Sequence, residues 1–236
     1  MSSGDLSDRD RAILSHIARY RLTFQEIVGH LYCDGTDPQK TFNELRDHGY
    51  VVARKGYGRN RSAYQLTPKG ARAAGEHRRR ADSLGSEARP VHFAILAFCF
   101  LQRRARLRLE PRELDELFEP QQVPPGRYHC LERRRKAARL YHIYVPGDAV
   151  PVVEVVAMTR THIEAVLEIP SVAPWIHTRV YSHAVLVDAA ERAHRLKAAF
   201  DDELLSDGRR LREVADVRVE YVPGFDTLEE ALRDLG

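Results

Sequence analysis

The chain has little of what a membrane, secreted or cofactor-built protein needs. No apolar run approaches the about 18 residues that span a bilayer; the longest, Val91 to Leu101, is interrupted by His92. No membrane partner is therefore expected. The first residues, MSSGDLSDRD, combine neither a basic start nor an apolar stretch with a small-residue cleavage site, so a secretory signal is not expected and a cytoplasmic location is. Cysteine is scarce: Cys33, Cys99 and Cys130 are odd in number and far apart. That spacing excludes a disulfide framework or a cysteine-built zinc site and predicts buried free thiols. No glycine-rich loop that would cradle a phosphate is present, and no cofactor is expected.

Charge is present and unevenly placed. Residues 1–80 hold 15 Lys/Arg against 9 Asp/Glu, whereas residues 145–236 hold 10 against 17. A polyanion would be drawn to the N-terminal end and repelled by the C-terminal end.

The N-terminal pattern reads as short elements with clear punctuation. Ser7 and Asp10 suit a helix start, and Ile13, Leu14 and Ile17 recur at helical spacing, which predicts a helix over about 8–20. Thr23-Phe24-Gln25-Glu26 has the form of a capping box opening a second helix that buries Ile27, Val28 and Leu31. A turn at Cys33 to Pro38 leads to a third helix ending near His48, with Gly49 as its left-handed stop and Phe42 and Leu45 facing the core. The period then becomes alternating at Tyr50 to Lys55 and again at Ser62 to Leu66, a hairpin whose tip is Gly56-Tyr57-Gly58-Arg59-Asn60-Arg61. Thr67-Pro68-Lys69-Gly70 caps a fourth helix. Three helices, a hairpin and a helix is the winged helix-turn-helix order.

The helix ending in "LRDHGYV", the basic hairpin and "YQLTPKG" resemble winged-helix regulators of the MarR-like and PadR-like kinds. The opening "LSDRDRAILSHIARYRLTFQEIV", together with the third helix and the hairpin, resembles more closely the replication-relaxation family of plasmid and mobile-element proteins, over residues 6–75. The resemblance implies DNA binding without fixing one process. In a helix-turn-helix the second helix of the motif enters the major groove, so Gln39, Lys40, Asn43 and Arg46 are the candidates for base contact. Arg54, Lys55, Arg59, Asn60 and Arg61 on the hairpin suit phosphates or a narrow minor groove, with Tyr57 among them to stack or shield.

Residues 81–90 read as a polar linker, and 91–236 as a mixed α/β domain for dimerisation or partner contact. Val91 to Leu101 predicts a buried helix, Arg112 to Phe118 a short acidic one, and Arg127–Leu131 with Leu140–Val145 a hairpin with a basic tip. Val152 to Ile169 reads mainly as helix, Val180 to Val187 as a buried strand, Ala189 to Leu204 as a helix, Val217 to Val222 as a last strand and Thr227 to Leu235 as a closing helix. This order resembles the restriction-endonuclease fold, in degenerate form: Asp148 and Glu154 have roughly the carboxylate spacing, but Val156 stands where that chemistry needs a lysine. His129, His142, His162, His177 and His183 lie apart in sequence with no ligand spacing and read as ordinary polar or core histidines, and Trp175 as packing.

The expectation is thus an α+β protein: a winged helix-turn-helix over 1–80, a linker and a C-terminal α/β domain. It is expected to bind double-stranded DNA sequence-specifically as a dimeric transcriptional regulator without enzymatic or metal chemistry. The alternative is a replication or mobilisation accessory of a plasmid or mobile element, recruiting a protein partner through the acidic C-terminal part.

Overall fold

The computed structural model describes residues 6–33, 37–57, 61–101, 104–118, 124–133, 137–225 and 227–233. The chain is α+β and divides into two compact units, Met1–Leu96 with Pro223–Gly236, and Ala97–Val222. The sequence pattern grouped 91–236 together; the division instead falls within a helix and returns the C-terminal segment to the first unit. No helix among the described residues is long and apolar enough to cross a membrane.

The first unit opens with α1 (Asp8–Tyr20), whose start is fixed by the reciprocal hydrogen bonds of Ser7 and Asp10. Helix α2 (Gln25–Tyr32) begins differently from the sequence expectation. Its N-cap is Phe24, with no side-chain bond, because the Thr23 hydroxyl is taken by His16 Nε2 at 3.0 Å. Thr23 instead pairs its backbone with Tyr64, so the residue starts a β-bridge rather than a capping box. Leu31, expected in the core, is 37% exposed. Helix α3 (Gln39–Asp47) ends at Gly49, whose φ of 71° is the left-handed stop the pattern calls for. The turn residues 34–36 before it lie outside the described residues.

Strands β1 (Val51–Lys55) and β2 (Ser62–Leu66) form an antiparallel hairpin in which Val51 faces Leu66 and Lys55 faces Ser62. Helix α4 (Pro68–Ala73) follows, capped by the Thr67 hydroxyl accepting from the Gly70 amide. Gly70 has a packing reason: a β-carbon there would run into the Tyr50 carbonyl. The core joins Ile13, Leu14 and Ile17 of α1 to Phe42 and Leu45 of α3 and to Val51, Tyr64 and Leu66 of the hairpin. Phe42 stacks on Tyr64 with ring centroids 3.8 Å apart, which pins α3 to β2. After a 3-10 turn at Arg78–Ala81, helix α5 (Ala88–Phe100) carries the apolar run, its residues from Phe93 to Cys99 all buried.

The second unit is a mixed five-stranded sheet packed against helices. The chain runs through β3 (Arg106–Leu109), α6 (Pro111–Leu117), β4 (His129–Arg133), β5 (Ala138–Tyr144), α7 (Val152–Leu167), α8 (Ala173–His177), β6 (Tyr181–Val187), α9 (Ala190–Asp202), α10 (Leu211–Val214) and β7 (Asp216–Tyr221). The strands are ordered as they occur in the chain: β3, β4 and β5 pair antiparallel, and β5, β6 and β7 pair parallel. The parallel steps are each spanned by helices, as parallel neighbours require. One core packs Leu140, Tyr181, Val185, Val217 and Val219 of the sheet against Val155 and Ile163 of α7 and Leu196 and Phe200 of α9. Helix α11 (Leu228–Arg233) closes the described chain in the first unit, short of the expected Leu235, which is not described. The basic tip expected between β4 and β5 likewise lies, at 134–136, outside the described residues.

Candidate nucleic-acid interface and a histidine cluster

Helix α3 turns Phe42 and Leu45 inward, and this rotation sets what its other side presents. Gln39, Asn43 and Arg46 follow one another at helical spacing on that side. Gln25 Nε2 of α2 donates to Gln39 Oε1 at 2.8 Å, Gln39 Nε2 donates to Asn43 Oδ1 at 3.0 Å, and Arg46 Nη2 donates to the same oxygen at 3.1 Å. The result is a polar ladder whose side chains hold one another in place. Lys40 stands beside it with its side chain 87% exposed, 4.0 Å from Glu44.

On the hairpin, Arg54 and Lys55 are exposed at the end of β1, Arg54 Nη2 donating to Ser83 Oγ at 3.2 Å. Two neighbours are placed otherwise. Tyr57 is fully buried, with its ring edge-on to Phe24 at 5.8 Å and to Phe225 at 5.2 Å, so it packs inside and does not present a stacking surface. Arg61, just before β2, bonds Glu26 of α2 and is half-buried, which makes it a tie between the hairpin and α2. Arg59 and Asn60 lie outside the described residues.

The carboxylate pair read from the sequence of the second unit does not assemble on neighbouring strands. Asp148 sits in the loop before α7 with its side chain 91% exposed, 3.6 Å from Arg192, and Glu154 is in the first turn of α7.

The histidines, far apart in sequence, lie together in the structure. His129 faces His142 across the β4–β5 pair, and His142 is aligned with His183 across β5–β6, so three strands carry a histidine at one level of the sheet. Helix α7 adds His162. Ligand-capable atoms of His142, His162 and His183 all lie within 4.8 Å of one another. His142 Nδ1 and His183 Nδ1 are 3.0 Å apart, and the rings of His142 and His162 stack at 3.9 Å. Outer partners are in place: Thr159 Oγ1 lies 3.3 Å from His183 Nε2, and the Tyr181 hydroxyl 2.7 Å from His162 Nε2. Gly126, at φ 127°, lies against the His142 ring where a β-carbon would collide with it. His129 is 1% exposed, its ring 5.3 Å from that of His142, and neither of its nitrogens has a hydrogen-bond partner.

Burial sets the protonation of this cluster. It holds His129 and His162 down at about 4 and His142 and His183 well below the usual imidazole value, with the neighbouring histidines adding to the depression at His129, His142 and His183. All four are therefore neutral near pH 7, with lone pairs to offer. His177, the fifth histidine of the sequence reading, lies on α8 and is not part of this cluster.

No spacing rule reaches this grouping, because strand register assembles it. A signal was nevertheless present: His142 and His183 each occupy, in an otherwise apolar strand, the alternation class of the core-facing Leu140, Tyr181 and Val185. Comparison of the chain with protein-family models, with curated proteins and with solved structures finds no match.

Proposed function

We propose that the protein binds double-stranded DNA sequence-specifically through its N-terminal unit, a winged helix-turn-helix, and acts as a dimeric transcriptional regulator. The observation that carries this reading is the polar ladder Gln39–Asn43–Arg46 on the solvent side of α3, with Lys40 beside it. Amide side chains read adenine and cationic ones guanine in the major groove, each good pair discriminating by about 1–3 kcal/mol. Holding the side chains in a ladder lowers the entropy cost of presenting them. Arg54 and Lys55 on the hairpin serve the phosphate backbone, which positions the domain without reading sequence. The second unit, which we read as a degenerate endonuclease-like sheet, supplies dimerisation or partner contact. No observation of the structure favours the accessory reading, in which the same domain marks an origin of replication or transfer.

The test is a gel shift on fragments of the DNA upstream of the protein's own coding region, over a salt series. The wild type is expected to prefer one fragment. Arg54→Ala/Lys55→Ala should weaken binding to all fragments alike and make the salt dependence shallower by about one unit of slope per lost phosphate contact. Gln39→Ala/Asn43→Ala should instead erase the preference with the salt slope kept. Equal binding to every fragment, unchanged in both variants, contradicts the reading.

A further inference from the structure

We infer that the second unit binds one divalent transition-metal ion of the imidazole-preferring class, zinc foremost, through His142, His162 and His183.

The donor set is all nitrogen, from neutral imidazoles, which suits zinc, copper and nickel and disfavours magnesium and calcium, whose ligands are oxygens. The spacing fits. Two nitrogens bound at about 2.0–2.1 Å to a tetrahedral ion stand about 3.3 Å apart. His142 Nδ1 and His183 Nδ1 are already at 3.0 Å, and all three ligand atoms lie within 4.8 Å. The outer nitrogen of a metal-bound histidine needs a partner that fixes its tautomer. His183 has one in Thr159, which leaves the other nitrogen of that ring, Nδ1, directed at His142.

His129 is the independent pointer. A buried polar group with no partner costs about 1–3 kcal/mol, and natural cores satisfy nearly all of theirs. Here both nitrogens of a ring that is 1% exposed are without a partner, next to three other imidazoles. This unsatisfied ring lies at the edge of the site, 5.3 Å from the ring of His142. The ion would join β5 and β6 to α7, so its role is to clamp the helix on the sheet. The rings are buried to half-buried, which suits a structural ion.

The experiment uses the full chain free of any affinity tag, stripped with chelator and then given zinc. Expected are uptake of one zinc per chain in competition with a chromophoric indicator and a rise in Tm of about 5–10 °C at a hundredfold excess of zinc over its Kd. Cobalt in place of zinc should give the visible bands of a tetrahedral site. His162→Gln, on the half-buried helix position, should keep the far-ultraviolet circular dichroism of the wild type and lose at least about 10-fold in zinc affinity, and Thr159→Val about 10–100-fold. A folded, stripped chain that takes up no stoichiometric zinc and shows no rise in Tm overturns the proposal. Zinc uptake undiminished in both His162→Gln and His183→Gln overturns it too, placing the ion on other histidines. The variants lie in the second unit and the DNA-reading side chains in the first, so either result leaves the DNA-binding reading to its own test.

Discussion

Burial keeps the His16 imidazole neutral. The side chain lies within the α1 core, bonded to Thr23 and packed on Tyr20 and Tyr32, and burial, with the nearby Arg19 charge adding to it, takes its pKa down to about 3. The unfolded chain titrates near 6.5. Between those values the unfolded state binds a proton that the folded state refuses, so the stability linked to His16 is full above about pH 6.5 and drains away as pH falls, by about 1.4 kcal/mol per unit. Urea unfolding of the wild type and of His16→Gln should therefore show the stability difference between them shrinking by about 2 kcal/mol from pH 7.5 to pH 5. A difference that does not move with pH would mean that His16 takes up its proton in the folded state as readily as in the unfolded one.

At the scale of the elements, strand β3 shows why alternation can mislead. Arg106-Leu107-Arg108-Leu109 alternates as a strand should, yet both arginines are buried, at 4% and 7% exposure, so the rule of polar outside and apolar inside does not find it. Arg106 is accommodated because its whole fork is used. It donates to both carboxylate oxygens of Glu220 on β7 at 2.9 and 3.0 Å, to Glu132 on β4 at 3.2 Å and to the Phe98 carbonyl at 3.0 Å, with the guanidinium 3.6 Å over the Phe98 ring. Tyr141 on β5 donates to the same Glu132 carboxylate at 2.8 Å. One guanidinium thus links β3 and β7, the first and last strands of the sheet order. Arg106→Met removes the cation that hydrogen-bonds buried Glu132 and half-buried Glu220, leaving them only the half-exposed Arg104 at 3.8 and 4.0 Å, and should destabilise the protein by about 3 kcal/mol in denaturant unfolding. A loss under about 1 kcal/mol would mean that Arg104 and water compensate Glu132 and Glu220 without Arg106.

At the scale of the whole molecule, legibility in the sequence followed the range of the interactions. Helices α1 and α3, the hairpin and α4 were legible because caps, Gly49, Pro68 and the switch of hydrophobic period are local signals. Thr23 misled because a tertiary hydrogen bond to His16 outcompeted its capping role, and Tyr57 because an aromatic among cations in a short loop says nothing of the Phe24 and Phe225 rings it packs on. The helices and strands of the second unit were mostly legible one by one, β3, α8 and α10 excepted. Their assembly was not: the histidine cluster exists only once β4, β5 and β6 are in register, and the return of Pro223–Gly236 to the first unit leaves no mark in composition.

The excess of cations in residues 1–80 and of carboxylates in 145–236 gives the molecule one region suited to a polyanion and one that repels it. The central claim, that the α3 ladder reads base sequence, is tested most directly by selection from a pool of random DNA duplexes followed by sequencing of the bound fraction. The account predicts enrichment of one motif, as two inverted half-sites about 34 Å or a multiple apart, and its loss in Gln39→Ala/Asn43→Ala. A bound fraction as random as the starting pool, or a motif unchanged in that variant, would contradict it.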